Sequence, residues 1–177
     1  MTATKTKILD LAERLTQTRG FNGFSYIDLA NEIGIKTASI HYYFKSKDDL
    51  AAALVERVHK AHSEGFKNIE ASTTSPKKRL EAVIAFFQQY ALDEKFCLCG
   101  MMAAELRSVS SRVSNSVKLY FTDFQSWLAR QFKEAGHANA QHQALSFLSA
   151  LEGSLLLARL RQDPKLVHQA LKGFLKT

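Results

Sequence analysis

The chain has 177 residues, of which 46% are apolar, 23% charged and 10% aromatic, proportions that exclude a disordered or low-complexity protein. Its 24 Lys and Arg against 17 Asp and Glu leave a net charge of +7, which points to an anionic partner. Residues 1–50 hold 7 basic and 6 acidic residues, so there is no uniformly basic domain, and the placement of single cations decides where an anion would sit. No apolar stretch approaches the ~20 residues needed to cross a bilayer, and the segment from Met1 through Asp10, Glu13 and Arg14 lacks the apolar core of a signal peptide. A cytoplasmic protein with no membrane partner is expected. The two cysteines, Cys97 and Cys99, have no zinc-type spacing with other Cys or His, so no metal, cofactor or disulfide framework is expected.

The first helix is expected at about 4–19, with Ile8, Leu11, Ala12 and Leu15 on one face and Gly20 as its stop. Phe21 and Phe24 cover its end. Ser25 with Asp28 forms a capping box that starts a short helix running to Ile33, and Gly34 ends it. Thr37 is expected to cap a helix of about eight residues to Phe44, with Ile40 and Phe44 one turn apart. Ser46 followed by Asp48 and Asp49 opens a long helix to about Phe66, the acids sitting where the helix dipole favours them. A loop is expected at about 70–75. Pro76 and Pro164, each after a good capping residue, read as first helical positions. Helices at about 76–92, 100–109, 113–135, 140–162 and 164–176 complete an all-α fold of about nine helices.

Two short helices joined by a glycine-containing turn form the helix-turn-helix pattern, in which the second helix enters the DNA major groove. Residues 25–44 fit it, and no acid occurs from Gly34 to Lys47, a stretch that holds Lys36, Lys45 and Lys47. Lys and hydroxyl side chains reach phosphates, while short side chains near the start of a recognition helix reach base edges.

The run Leu29-Ala30-Asn31-Glu32-Ile33-Gly34-Ile35-Lys36-Thr37-Ala38-Ser39-Ile40-His41-Tyr42-Tyr43-Phe44-Lys45-Ser46-Lys47-Asp48-Asp49-Leu50 resembles the DNA-binding module of the tetracycline-repressor (TetR) family, and the likeness extends over residues 5–55. His41 stands where the family more often has Tyr. This resemblance implies a DNA-binding domain at 1–47 and an effector-binding and dimerisation domain at 48–177. It places Lys36, Thr37, Ala38 and His41 near base edges, and Ser25, Ser39, Tyr42, Tyr43 and Lys47 near phosphates. The implied partners are double-stranded operator DNA, a second copy of the chain in a homodimer, and a small apolar or amphipathic effector that releases the DNA.

Residues 140–162 present Ala144, Leu148, Leu151, Leu155 and Ala158 at alternating four- and three-residue spacing, the pattern of either a dimer seam or an ordinary core helix. The resemblance favours the seam. An apolar and sulfur-bearing set, Phe86, Phe87, Tyr90, Cys97, Met101, Met102, Phe121, Phe124 and Trp127, suits either a core or the wall of an effector pocket. Gln88, Gln89, Glu105, Arg107 and His142 are the polar groups that could orient a ligand, though none is compelling, and His59, His62 and Glu64 read as the wet face of a long helix rather than a metal site. No phosphate loop, nucleophile elbow or His-Glu-x-x-His occurs, so no enzyme is expected. The alternatives to a ligand-released repressor are a repressor that senses oxidants or electrophiles through Cys97 and Cys99, and a helical adaptor that does not bind DNA.

Overall fold

The computed structural model describes residues 2–175. Among them are nine α-helices and no strand: α1 (Ala3–Arg19), α2 (Tyr26–Ile33), α3 (Thr37–Tyr43), α4 (Lys47–Ser72), α5 (Pro76–Leu92), α6 (Leu98–Ala104), α7 (Ser111–Glu134), α8 (Ala140–Arg161) and α9 (Lys165–Leu171). Two compact units emerge, one comprising the chain up to His59 with Leu98–Leu119, the other Lys60–Cys97 with the chain from Tyr120 onward.

In the first unit α1 buries Ile8, Leu11, Ala12 and Leu15 as its spacing requires. It ends at Gly20, whose φ of 86° a side chain would resist. The buried rings of Phe21 and Phe24 meet edge to face at 5.7 Å beyond it. The first half of α4 contributes Leu50, Ala51, Leu54, Val55 and Val58 to the same core. Arg57 of α4 pairs with Asp10 and Glu13 of α1, and Arg14 pairs with Glu32 across α1 and α2.

In the second unit α5, α8 and α9 pack on one another. Val83, Ile84 and Phe87 of α5, Phe147 of α8, and Val167 and Leu171 of α9 are all buried. The seam expected on α8 is part of this interior. Ala144, Leu148, Leu151, Leu155 and Ala158 are each buried within a single chain, so they are core residues and no longer available as a dimer surface. The outward face of α8 is apolar too: Leu145, Leu156 and Leu160 are 51%, 59% and 75% exposed.

Several boundaries move for physical reasons. α4 continues past Phe66 to Ser72, because no Gly or Pro interrupts residues 66–75 and Glu70 is held by Arg130 and by Gln131 of α7. The expected loop shrinks to residues 73–75. α6 begins at Leu98 and gives way after Ala104 to a 3₁₀ turn, Leu106–Ser108, around a Glu105 that is engaged elsewhere. Lys36, rather than Thr37, is the residue flanking α3, and it makes no side-chain cap. Pro164 lies just ahead of the first residue of α9, while Asp163 caps through its Oδ1, which accepts from the Lys165 N–H at 3.0 Å. α9 stops at Leu171 and a 3₁₀ turn, Lys172–Leu175, follows; the end of the expected helix, residue 176, lies outside the described residues.

Candidate nucleic-acid interface

Residues 25–47 are tied together by local hydrogen bonds. The Asp28 carboxylate accepts from the Ser25 backbone N–H and hydroxyl, both at 2.7 Å, while the Ser25 Oγ accepts from the Asp28 N–H. Those bonds from Ser25 hold the Asp28 carboxyl below its ordinary pKa. Gly34, at φ 76°, ends α2 in the left-handed region, its N–H bonded to Ala30 O at 2.9 Å, and thereby turns the chain into α3. Ser46 and Asp49 repeat the reciprocal arrangement at the start of α4.

Tyr26 fixes the far side of the motif. Its hydroxyl donates to the Ser46 carbonyl at 2.6 Å, with the Phe44 carbonyl at 3.2 Å, and its ring meets His41 edge to face at 4.9 Å. Burial, with the Asp49 charge as the smaller cause, pushes the phenol up to about 12, so it remains a donor at any physiological pH. Inside α3 only Ile40 is fully buried, and α2, which packs on α3, buries Leu29 and Ala30. This leaves Lys36, Ala38, His41, Tyr42 and Lys45 exposed, with Thr37, Ser39 and Tyr43 half-buried; Ser25 is exposed at the start of α2. Tyr42 is 74% exposed and packs edge to face on Tyr43 at 5.0 Å. An acid-free surface with one lysine at each end and short or aromatic side chains between them can meet a phosphate backbone and the base edges beside it.

Lys47 departs from the expected role. Its ammonium is turned inward, donating to the carbonyls of Phe21 and Phe24 and lying 4.8 Å from each ring centroid. Burial lowers its pKa, against the opposing pull of Glu105 and Asp28. Lys47→Met, which keeps the stem and deletes the charge, is therefore expected to cost roughly 1.5–3 kcal/mol of stability, the range for hydrogen bonds to a charged group. Its binding to DNA should keep the parent's salt dependence. Lys45→Ala should do the reverse, leaving stability unchanged and lowering the salt slope by about one unit. Denaturant unfolding and salt titrations of binding on both variants check the pair; a lowered slope for Lys47→Met would return that lysine to the phosphates.

The segment 98–119 belongs to the same unit and meets the end of α1. The Glu105 carboxylate accepts from the Asn22 backbone N–H at 3.0 Å and from its side-chain amide at 2.8 Å, and that amide also donates to the Ser108 hydroxyl at 2.7 Å. A Cβ at Gly20 would fall 2.5 Å from Glu105 Oε1, the movable end of a side chain, so it is the φ of 86° that asks for glycine there. The Ser110 N–H donates to Asp48, and Arg112 pairs with Asp49 at 3.1 Å. Glu105 thus leaves the set of groups that could orient an effector.

The expected pocket set divides likewise. Met101 and Met102 lie in the first unit, Met101 near Gly20, whereas the aromatic members lie in the second. There Phe66 stacks on Phe124 and on Trp127, each at 4.8 Å, and Phe87 stacks on Phe124 at 5.7 Å. Phe87, Phe124, Trp127 and Cys97 are buried, Tyr90 and Phe121 are half-buried, and Phe86 is exposed at its edge. His62 is buried among these rings, not on a wet face as expected. Its two ring nitrogens meet the hydroxyls of Tyr120 at 2.9 Å and Tyr90 at 3.1 Å, groups that can each donate or accept as the ring requires. No cluster of three or more metal-ligating side chains occurs among the described residues.

Glu152 of α8 was not singled out from the sequence. Both its carboxyl oxygens are sealed from solvent and have no N–H or O–H partner among the described residues, the Cys97 thiol being the one donor beside them; the indole N–H of Trp127 is sealed and without a partner as well. The available signal was its isolation, since it is the one Asp, Glu, Lys or Arg between Ala140 and Ala158.

Two family models cover most of this chain. That of the bacterial regulatory proteins of the tetR family matches residues 8–54, and that of the LmrA/YxaF-like transcriptional regulator C-terminal domain matches residues 76–172. The chain belongs to the TetR family of transcriptional regulators. A TetR transcriptional regulator of Legionella pneumophila shares 32% identity and superposes with a TM-score of 0.92, covering 98% of this chain and 96% of that one. A TetR-family regulator of Agrobacterium tumefaciens gives 27% identity and a TM-score of 0.92 over 97% and 95% of the two chains. An HTH-type transcriptional regulator from the lacX 3' region of Lactococcus lactis subsp. lactis is 25% identical over 167 residues, 90% of this chain and 85% of that protein. The α2–α3 motif is accordingly the DNA-binding helix-turn-helix of an HTH-type regulator. No helix among the described residues is long and apolar enough to cross a membrane.

Proposed function

We propose that this TetR-family chain is a repressor that binds a palindromic operator as a homodimer and lets go when a small molecule occupies its carboxy-terminal domain. The observation that carries the reading is the exposed, acid-free surface of α3 and its flanks, from Lys36 to Lys45. Lys36, Thr37, Ala38 and His41 face base edges in this reading, and Ser25, Ser39, Tyr42, Tyr43 and Lys45 face phosphates. Residues 1–47 carry the DNA-reading surface and 48–177 the effector and dimer functions, with the segment 98–119 as the joint through which the second reports to the first. Support for the joint comes from the bonds that tie Glu105 and Ser108 to Asn22. An effector must bind one state of that joint better than the other, because equal affinity for both shifts nothing.

The outward face of α8, built on Leu145, Leu156 and Leu160, is the proposed dimer surface. Gly153 lies between them on the exposed side, where its missing side chain permits close helix approach. A two-fold axis would make this face self-complementary, and a palindromic operator would offer the two recognition helices successive major grooves ~34–36 Å apart. The buried thiols of Cys97 and Cys99 give no support to sensing at an exposed, reactive cysteine.

Selection of bound duplexes from a random pool with the full-length chain tests the reading. An enriched palindrome is expected, and its absence would sink the proposal. The same selection with His41→Ala should change base preference at one position per half-site by ~1–3 kcal/mol. Uniform weakening on every sequence would instead move His41 to the backbone.

A further inference from the structure

Glu152 stands in a stretch of α8 that is otherwise without Asp, Glu, Lys or Arg from Ala140 to Ala158, with Leu148, Leu151 and Leu155 one turn to either side or adjacent. Its two carboxyl oxygens are both out of reach of water and neither has an N–H or O–H partner among the described residues. The one donor set against the carboxyl is the Cys97 thiol, whose weak hydrogen bond favours the charged form but falls short of the N–H and O–H partners a buried carboxylate needs. Burial dominates and pushes the carboxyl up to about 7, which leaves the group poised between its two forms at neutral pH. A buried acceptor pair of this kind is unfavourable as it stands, and a donor placed against it restores what desolvation removed. The occupant's chemistry follows from the surroundings. With no cluster of three ligating side chains among the described residues, the site does not suit a bare metal ion, which needs several oxygen or nitrogen ligands. An organic cation meets both requirements, presenting N–H donors at one end and an apolar body to the apolar side chains of α8 at the other.

We infer that Glu152 is the recognition group for a small apolar amine, so that the effector in the reading above is a monoamine whose ammonium group docks on this carboxylate. The inference rests on that reading for its regulatory meaning, but the site itself is tested without DNA. Calorimetry on the full-length chain at pH 7.5 uses three amines, cyclohexylmethylamine, 4-phenylbutylamine and 1-naphthylmethylamine, each paired with the alcohol of the same shape. At least one amine is expected to bind tenfold or more tightly than its alcohol. In Glu152→Gln that preference should fall to within twofold while the alcohol's affinity stays unchanged; thermal unfolding at pH 5 verifies that the variant folds like the parent. Absence of an amine preference in all three pairs overturns the inference, as does a preference that survives in Glu152→Gln. An alcohol that binds and releases operator without any amine preference removes the Glu152 site and leaves the repressor reading standing. An amine preference lost in Glu152→Gln, with operator binding untouched by the amine, establishes the site and removes ligand-driven release.

Discussion

A chain carrying Leu156→Glu and Leu160→Glu is expected to sediment as a monomer and to lose operator affinity roughly 100-fold or more, the scale on which joining two modest binding modules raises affinity. Both leucines are more than half exposed in the single chain, so the change leaves the interior of the second unit intact and thermal unfolding of the isolated chain should barely move. Leu151→Ala is the matched control. Leu151 is fully buried on the opposite side of the same helix, and its truncation should cost about 2–5 kcal/mol of stability while dimer and operator contacts survive. Sedimentation velocity, unfolding and gel shifts on the two variants separate the faces. A dimer that persists in the double glutamate chain would show that the copies meet through another surface.

The need for that pair of variants shows where the sequence was silent. α8 carries leucine on both sides, so three- and four-residue spacing picks out Ala144, Leu148, Leu151, Leu155 and Ala158 as a stripe without saying whether it meets α5 and α9 or a second copy. Features set by neighbours in the chain were legible. Ser25 with Asp28 and the left-handed Gly34 are local arrangements, and the helix-turn-helix they bound was readable residue by residue. Features set by distant partners were not. Lys47 belongs by composition to an acid-free basic run, yet two carbonyls and two rings from residues 21–24 turn it inward. His62 has the sequence surroundings of a wet helix face and is buried because two tyrosine hydroxyls, 28 and 58 residues away, satisfy its ring. Glu105 ends α6 early for the sake of Asn22, 83 residues before it. Each of these misses involves a polar group whose partner lies far along the chain, the information that periodicity does not contain.

Glu152 gives the largest expected response to pH. Its carboxyl titrates at about 7 in the folded chain against the ordinary 4.5, so between those values the folded state retains a proton that the unfolded state releases. Stability from this group is therefore complete below pH 4.5, falls as pH rises toward 7, and stays at its lowest above that. The difference of 2.5 units corresponds to about 3 kcal/mol. Glu152→Gln mimics the protonated acid in shape and removes the titration. The two chains should unfold at nearly the same temperature at pH 4.5, and at pH 8 the variant should be the more stable, by roughly 6–12 °C for a chain of this size. Comparing the two at each pH cancels the contributions of every other titrating group they share. Bound amine should reverse the order at pH 8, because the ammonium then stabilises the parent's charged carboxylate and has nothing equivalent in the glutamine chain. Parallel melting curves across this range would mean that the Glu152 carboxyl is solvated or bonded in the folded protein, and the amine site would fall with it.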